Sequence, residues 1–184
     1  MMGLKLHLRQ MIVRGVKSLY YDFDGKPKNL FPIILWFVIV PLAVGGFCYY
    51  KQWQFPDGAI DTLLSILGIF TALIFGVLFI APDKFSKRVE MLKEQKNDAI
   101  QNYLIRYENF AKSFVEQITL IIICSIVLIG NLFAILLFNK MVLHSLAAVL
   151  LCIFGQLFFV LLSNVYMLMK EDIHISNKQK GTLR

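Results

Sequence analysis

The groups from which a catalytic or metal centre could be built are few and scattered. The 184-residue chain has three histidines, His7, His144 and His174, three cysteines, Cys48, Cys124 and Cys152, and 12 carboxylates. Metal sites need ligands in close pairs, and acid–base or nucleophilic catalysis needs a base within reach of its partner. The histidines fall in three separate segments, and the cysteines have neither metal-site nor disulfide spacing. No P-loop, nucleophile elbow or pair of catalytic carboxylates is present. The expectation is a chain that is not an enzyme, with no cofactor and no metal. His144 and His174 are expected to be solvated or interfacial, and the cysteines to act as small packing residues.

The polar residues that stand out lie instead inside apolar runs. Gln117, Cys124 and Asn131 are spaced by seven and share one helical face. Ser145, Cys152, Gln156 and Ser163 share another. Amides in hydrocarbon need partners. The economical arrangement has these faces meeting, with Asn131 and Gln156 bonded across helices. If several subunits surround an axis, Asn131, Gln156 and Ser163 would instead line a path for ions or water.

These residues must be carried by membrane-spanning helices. Of the chain, 58% is hydrophobic and only 17% charged. No formal charge occurs between Lys28 and Lys51, Asp61 and Asp83, Glu116 and Lys140, or Lys140 and Lys170. A helix crosses the hydrocarbon core with about 20 apolar residues, and each gap suffices for one crossing. The crossings are placed at 30–50, 61–81, 115–138 and 142–169. The runs are continuous rather than alternating, which excludes a β-barrel. A long polar leader and the lack of a small-x-small site mark the first run as a retained helix. All but Lys51 and Lys140 of the 19 basic residues fall in 1–29, 82–113 and the tail. The positive-inside rule then puts both termini in the cytoplasm. The net charge of +7 is accounted for by this asymmetry and by attraction to anionic lipid headgroups, so no nucleic-acid partner is expected.

The expected fold is an all-α membrane protein with four transmembrane helices, N-in and C-in. Its parts are a cytosolic or interfacial segment 1–29, a first helix pair 30–81, a cytosolic helical segment 82–113, a second transmembrane hairpin 114–169 and a cytosolic tail 170–184. In the first part, Leu4, Leu8, Met11, Ile12, Val16, Leu19 and Phe23 form one face opposite His7, Gln10, Arg14 and Lys17. That is the pattern of an amphipathic helix lying on the membrane, weakened by Gly15. A turn is expected at 24–27, and Pro41 should kink the first span. Outside, Tyr49, Tyr50, Trp53 and Phe55 fit an aromatic belt, and Trp53 and Asp57 belong to the one loop able to meet an external molecule. Asn139-Lys140 forces a tight hairpin between the third and fourth spans.

Ser65, Gly68, Ala72 and Gly76 share one face of the second span as a double small-x-x-x-small motif. Such a face packs either within the subunit or at a homo-oligomer interface. Ala81-Pro82-Asp83 should end this helix, with Asp83 capping the next segment and a solvated connection over 84–99. From Ile100 to Phe114 an apolar stripe runs into the third span. Arg88, Lys93, Tyr103, Arg106 and Tyr107 are the residues expected to face a partner on that cytosolic segment. Asp61 and Glu116 lie near span ends and no ionisable group lies at mid-depth, unlike small multidrug exporters.

This layout resembles the KwaA family, the membrane subunits of bacterial Kiwa anti-phage defence systems. The likeness covers the whole chain, including Met2-Gly3-Leu4-Lys5-Leu6-His7-Leu8-Arg9 and Tyr20-Tyr21-Asp22-Phe23-Asp24-Gly25-Lys26. It implies an oligomeric membrane sensor and scaffold with a cytosolic, DNA-associated KwaB-like effector as its partner. It supplies no catalytic residue. Two other readings stay open: an ion channel or pore subunit, and an immunity protein against a pore-forming bacteriocin.

Overall fold

Tyr103, Tyr107, Phe110, Phe114, Ile118, Ile121, Ser125, Leu128, Leu132 and Ile135 recur every three or four residues, and all are buried. A stripe of this period belongs to a helix that buries one face. In the computed structural model, which describes residues 2–20, 29–56, 58–93 and 98–182, one helix of 41 residues, Asp98–Phe138, carries the whole stripe. At 1.5 Å per residue it is about 60 Å long, twice the roughly 30 Å hydrocarbon thickness. The turn expected at 24–27 and the loop residue Asp57 lie outside the described residues, as do the side chains of Leu4, His7, Leu8 and His174.

The elements in order are α1 (Met2–Tyr20), α2 (Leu30–Ile34), a π-helical turn (Leu35–Ile39), α3 (Val40–Tyr50), α4 (Ala59–Lys93), α5 (Asp98–Phe138) and α6 (Met141–Thr182). No strand occurs among the described residues. Four helical stretches are long and apolar enough to cross a bilayer: Phe31–Tyr50, Ala59–Glu90, Tyr103–Phe138 and Met141–Met167. This is the architecture of a multi-pass membrane protein. The spans form a row in which α4 packs on α5, α5 on α6, and α3 on α6, while α1 lies against α5. Phe70 of α4 reaches across to Phe154 and Phe158 of α6, edge to face at 6.1 and 5.1 Å.

Helix α4 does not stop at Ala81-Pro82-Asp83. It continues through Pro82 to Lys93, where a solvated connection was expected. Pro82 deletes one ladder hydrogen bond, but packing beyond it overrides that loss. Phe85 lies edge-on to Tyr107, Phe110 and Phe114 at 5.8, 6.1 and 5.4 Å. Asp83 caps nothing. It pairs with Lys87 one turn on, at 3.0 Å on the exposed surface. The result is an antiparallel hairpin of α4 and α5 that continues past the spanning segments. Lys93 Nζ and Glu108 Oε1, 3.3 Å apart, tie it near its tip.

Two glycines set how closely the outlying elements approach. A Cβ on Gly45 of α3 would strike Val149 Cγ2 of α6, whereas one on Gly46 would meet nothing within 4 Å. A Cβ on Gly15 of α1 would lie 3.0 Å from Leu120 Cβ and 3.3 Å from Glu116 O. The glycine that weakens α1 as an isolated helix is therefore what lets it dock on α5. Among the described side chains of α1, Gly15 and Ser18 are buried, while Met11 and Val16 stay 46% and 54% exposed. Gly45→Ala is expected to cost about 1–3 kcal/mol through overpacking, with Gly46→Ala neutral or slightly stabilising. Thermal unfolding of the two variants in the same detergent checks this contrast.

Candidate functional site

The most unusual chemistry in the fold is a backbone group in the first span. Val40 N–H reaches back five residues to Leu35 O, the bond that defines the π turn. In that register the donor for Trp36 O would be residue 41. Residue 41 is proline and has no N–H. The carbonyl is satisfied from another helix: Gln156 Nε2 of α6 donates to Trp36 O at 2.9 Å. The same amide nitrogen lies 3.6 Å from Cys152 Sγ, and Gln156 is only 5% exposed. The expected kink at Pro41 thus takes the form of one widened turn. Pro41 and Gly45 are the buried residues of α3, so the first span meets α6 through a proline, a glycine and one side-chain amide. Wide turns of this kind recur at functional positions in helices.

The other intramembrane polar residues do not pair as their spacing suggested. Asn131 and Gln156 are not bonded to each other. Asn131 Nδ2 donates to Leu143 O at 3.0 Å, near the opposite end of α6. The two amides share neither a height nor a direction, because equal spacing along two helices fixes faces but not which residues stand level. Gln117 is held by Asn164, whose Nδ2 donates to Gln117 Oε1 at 2.8 Å. The sequence reading missed Asn164. The available signal was that an amide at membrane depth, paired nowhere on its own helix, needs a second amide on a neighbour. Ser163 is exposed on the outside of the subunit. Cys124 Sγ lies 3.9 Å from Leu150 O.

At the end of the bundle carrying the short loops, His144 is buried rather than solvated, at 2% exposure. Phe55 N–H donates to its Nδ1 at 3.3 Å, and its Nε2 lies 3.0 Å from Asn139 Oδ1. The first contact fixes the neutral ring's proton on Nε2, which donates it in a hydrogen bond to Asn139 Oδ1. Asn139 itself adopts φ 43° after α5 and closes that helix through N–H to Ile135 O at 2.7 Å. One imidazole therefore joins the two loops. Trp53 stacks edge-on to Phe55 at 4.7 Å and is 41% exposed.

At the hairpin end, Tyr103 and Tyr107, expected to face a partner, are turned into the hairpin at 6% and 5% exposure. They pack with Phe85, Val89 and Leu104. The stripe found its cover in the continuation of α4, which ending that helix at Pro82 had removed from view. Arg88 and Arg106 are half-buried, and Lys93 is exposed. Ile105, 56% exposed, is the large apolar residue left on the open side of α5 there. On α4, Ser65 donates to Asp61 O, Ala72 is exposed, and a Cβ on Gly68 or Gly76 would meet nothing within 4 Å. The small-residue face is not used for packing within the subunit.

Among the described residues no group of three His, Cys, Asp or Glu side chains could hold a metal ion. What the geometry offers is a first span bonded to α6 through one amide, and a hairpin of α4 and α5 closed by aromatic packing. No protein-family model, no curated protein and no solved structure matches the chain.

Gln156→Leu leaves Trp36 O without a donor in hydrocarbon and is expected to destabilise the fold by about 1–2 kcal/mol. Adding Pro41→Ala restores a backbone N–H and should recover part of that loss. A double-mutant cycle on unfolding in detergent measures the coupling. Additive effects would mean that Pro41 and Gln156 do not act on the same carbonyl.

Proposed function

We propose that this chain is a non-catalytic sensor and scaffold subunit of an anti-phage defence complex in the bacterial inner membrane. In this reading both termini and the α4–α5 hairpin lie in the cytoplasm, as the basic residues of those segments require. The first span and α1 respond to the state of the bilayer, the small-residue face of α4 joins copies of the chain into a homo-oligomer, and the hairpin recruits a cytosolic, DNA-associated KwaB-like effector. The resemblance to the KwaA family supplies the defence context.

The single observation that carries this reading is the continuity of α5. Its buried stripe runs from Tyr103 to Ile135 without a break, so bilayer depth and hairpin surface belong to one rigid element. A helix interrupted at the membrane surface could not transmit a displacement. The uncovered face of α4 supports assembly: Gly68 and Gly76 leave room for close backbone approach, and Ile69, Leu73 and Ile80 beside them are at least 60% exposed. Lipid or a second copy must cover them, and small residues favour the copy. The partner surface moves from Tyr103 and Tyr107 to the exposed side of α5, around Ile105, Glu108 and Lys112.

Native pull-down in mild detergent tests the reading. Ile105→Glu with Lys112→Glu is expected to release a co-purifying soluble protein while leaving insertion and oligomer size unchanged. Gly68→Leu with Gly76→Leu is expected to reduce oligomer size on native mass spectrometry. A wild-type chain that is strictly monomeric and purifies alone would remove the scaffold reading, and conductance in reconstituted bilayers would favour a pore subunit.

A further inference from the structure

Between the two close approaches at Gly15 and Gly45 the first span and α1 stand away from the bundle, and a hollow of about 440 Å³ opens there. That volume is in the roughly 300–1,000 Å³ range of small-molecule sites. Its floor includes Leu120 of α5 and Ile153 of α6, which belong to spanning segments. Phe37 and Val38 of the π turn form one wall. Every lining side chain is hydrocarbon apart from the Cys124 thiol. Val16, Ile34 and Val38 line it and are 54%, 48% and 45% exposed, so the hollow opens sideways.

We infer that this hollow binds one acyl chain of a membrane phospholipid. Three physical points select that occupant. An apolar cavity does not hold water, and at this depth the material outside the mouth is hydrocarbon. A helix from another subunit, about 10–12 Å across with its side chains, does not fit a hollow of 440 Å³, whereas a single extended chain does. Helix α1, which walls the hollow with Ile12, Val16 and Leu19, carries the exposed Arg14 and Lys17 on its opposite side. Basic side chains of this length reach phosphate at the membrane surface while their stems stay in apolar contact. An anionic headgroup beside α1 therefore complements a chain lodged beneath it. The inserted chain braces the π turn against α1, α5 and α6. This inference rests on the membrane-embedded fold and not on the defence reading.

The test uses the full-length chain in vesicles of phosphatidylethanolamine and phosphatidylglycerol, with a trace of phosphatidylglycerol bearing a photoreactive diazirine on one acyl chain. Cross-links are expected to concentrate on the hollow-lining segments 12–19, 33–38 and 120–124. Val38→Trp and Val16→Trp, which fill the mouth at exposed positions, should lose most of that label. Phe159→Trp, on the exposed face of α6 at 69% exposure, should keep it. Labelling spread evenly over all lipid-facing spans overturns the proposal. Undiminished labelling in both mouth variants does so too, as does labelling by a diazirine fatty acid but not by the phospholipid. If the tryptophan variants fail to insert, the cross-link map of the unmodified chain decides alone. A partner that fails to co-purify would leave this map unaffected, so this inference and the scaffold reading fail separately.

Discussion

A backbone carbonyl inside a bilayer must find a donor within the protein, and Pro41 withholds the one that Trp36 would use. The consequence propagates through the subunit. Gln156 has to stand opposite Trp36, which fixes the register of the first span on α6. With that register set, Gly45 falls against Val149, where a side chain larger than hydrogen would collide. Only 11% of the first span's apolar window is buried, against 39% for the third span. A span with so little packing cannot be positioned by apolar contact alone, so one amide and one glycine do what a packed face does elsewhere.

The rest of the bundle is built in the opposite way. Helix α5 is packed on by α1, α4 and α6, and Ile118, Ile121, Ser125, Leu128 and Leu132 on its inner face have no accessible surface at all. Its stripe continues toward the hairpin tip, where Phe85, Phe110 and Phe114 pack against one another. The molecule therefore has a densely packed centre, α5 with its buried stripe, and a first span held on α6 by far less buried surface.

The spans were legible in the sequence because hydrocarbon excludes charge, and runs such as 117–139 admit only one reading. The tight turn at Asn139 followed from its length. The helix end expected at Pro82 was a local signal overruled by a distant one. Proline weakens one turn, but Phe85 gains three aromatic neighbours from a segment further along the chain, and no window around Pro82 contains them. The burial of Tyr103 and Tyr107 was demanded by their period, yet its provider could be found only once α4 was seen to continue. The expected Asn131–Gln156 bond failed for a different reason. Spacing gives the face of a helix, and hydrogen bonding also needs height, which depends on how two helices are offset. Trp36 O could not be chosen as an acceptor from side-chain identity, although a proline at position 41 announces that some carbonyl nearby lacks a donor.

Among the described residues, helix α6 takes part in three interhelical amide bonds, through Leu143 O, Gln156 and Asn164. Two of them tie it to α5 and one to the first span. The first span packs on α6, and near its start on α1, but not on α4. A displacement of the first span would load α6, which is bonded to α5 at Asn131 and Gln117, and α1, which packs on α5 directly. Apolar contacts could slide under that load, since one hydrocarbon surface resembles another. Hydrogen bonds at different depths cannot slide together without breaking. The polar residues of this membrane bundle thus hold α6 to α5 at two depths and to the first span at a third.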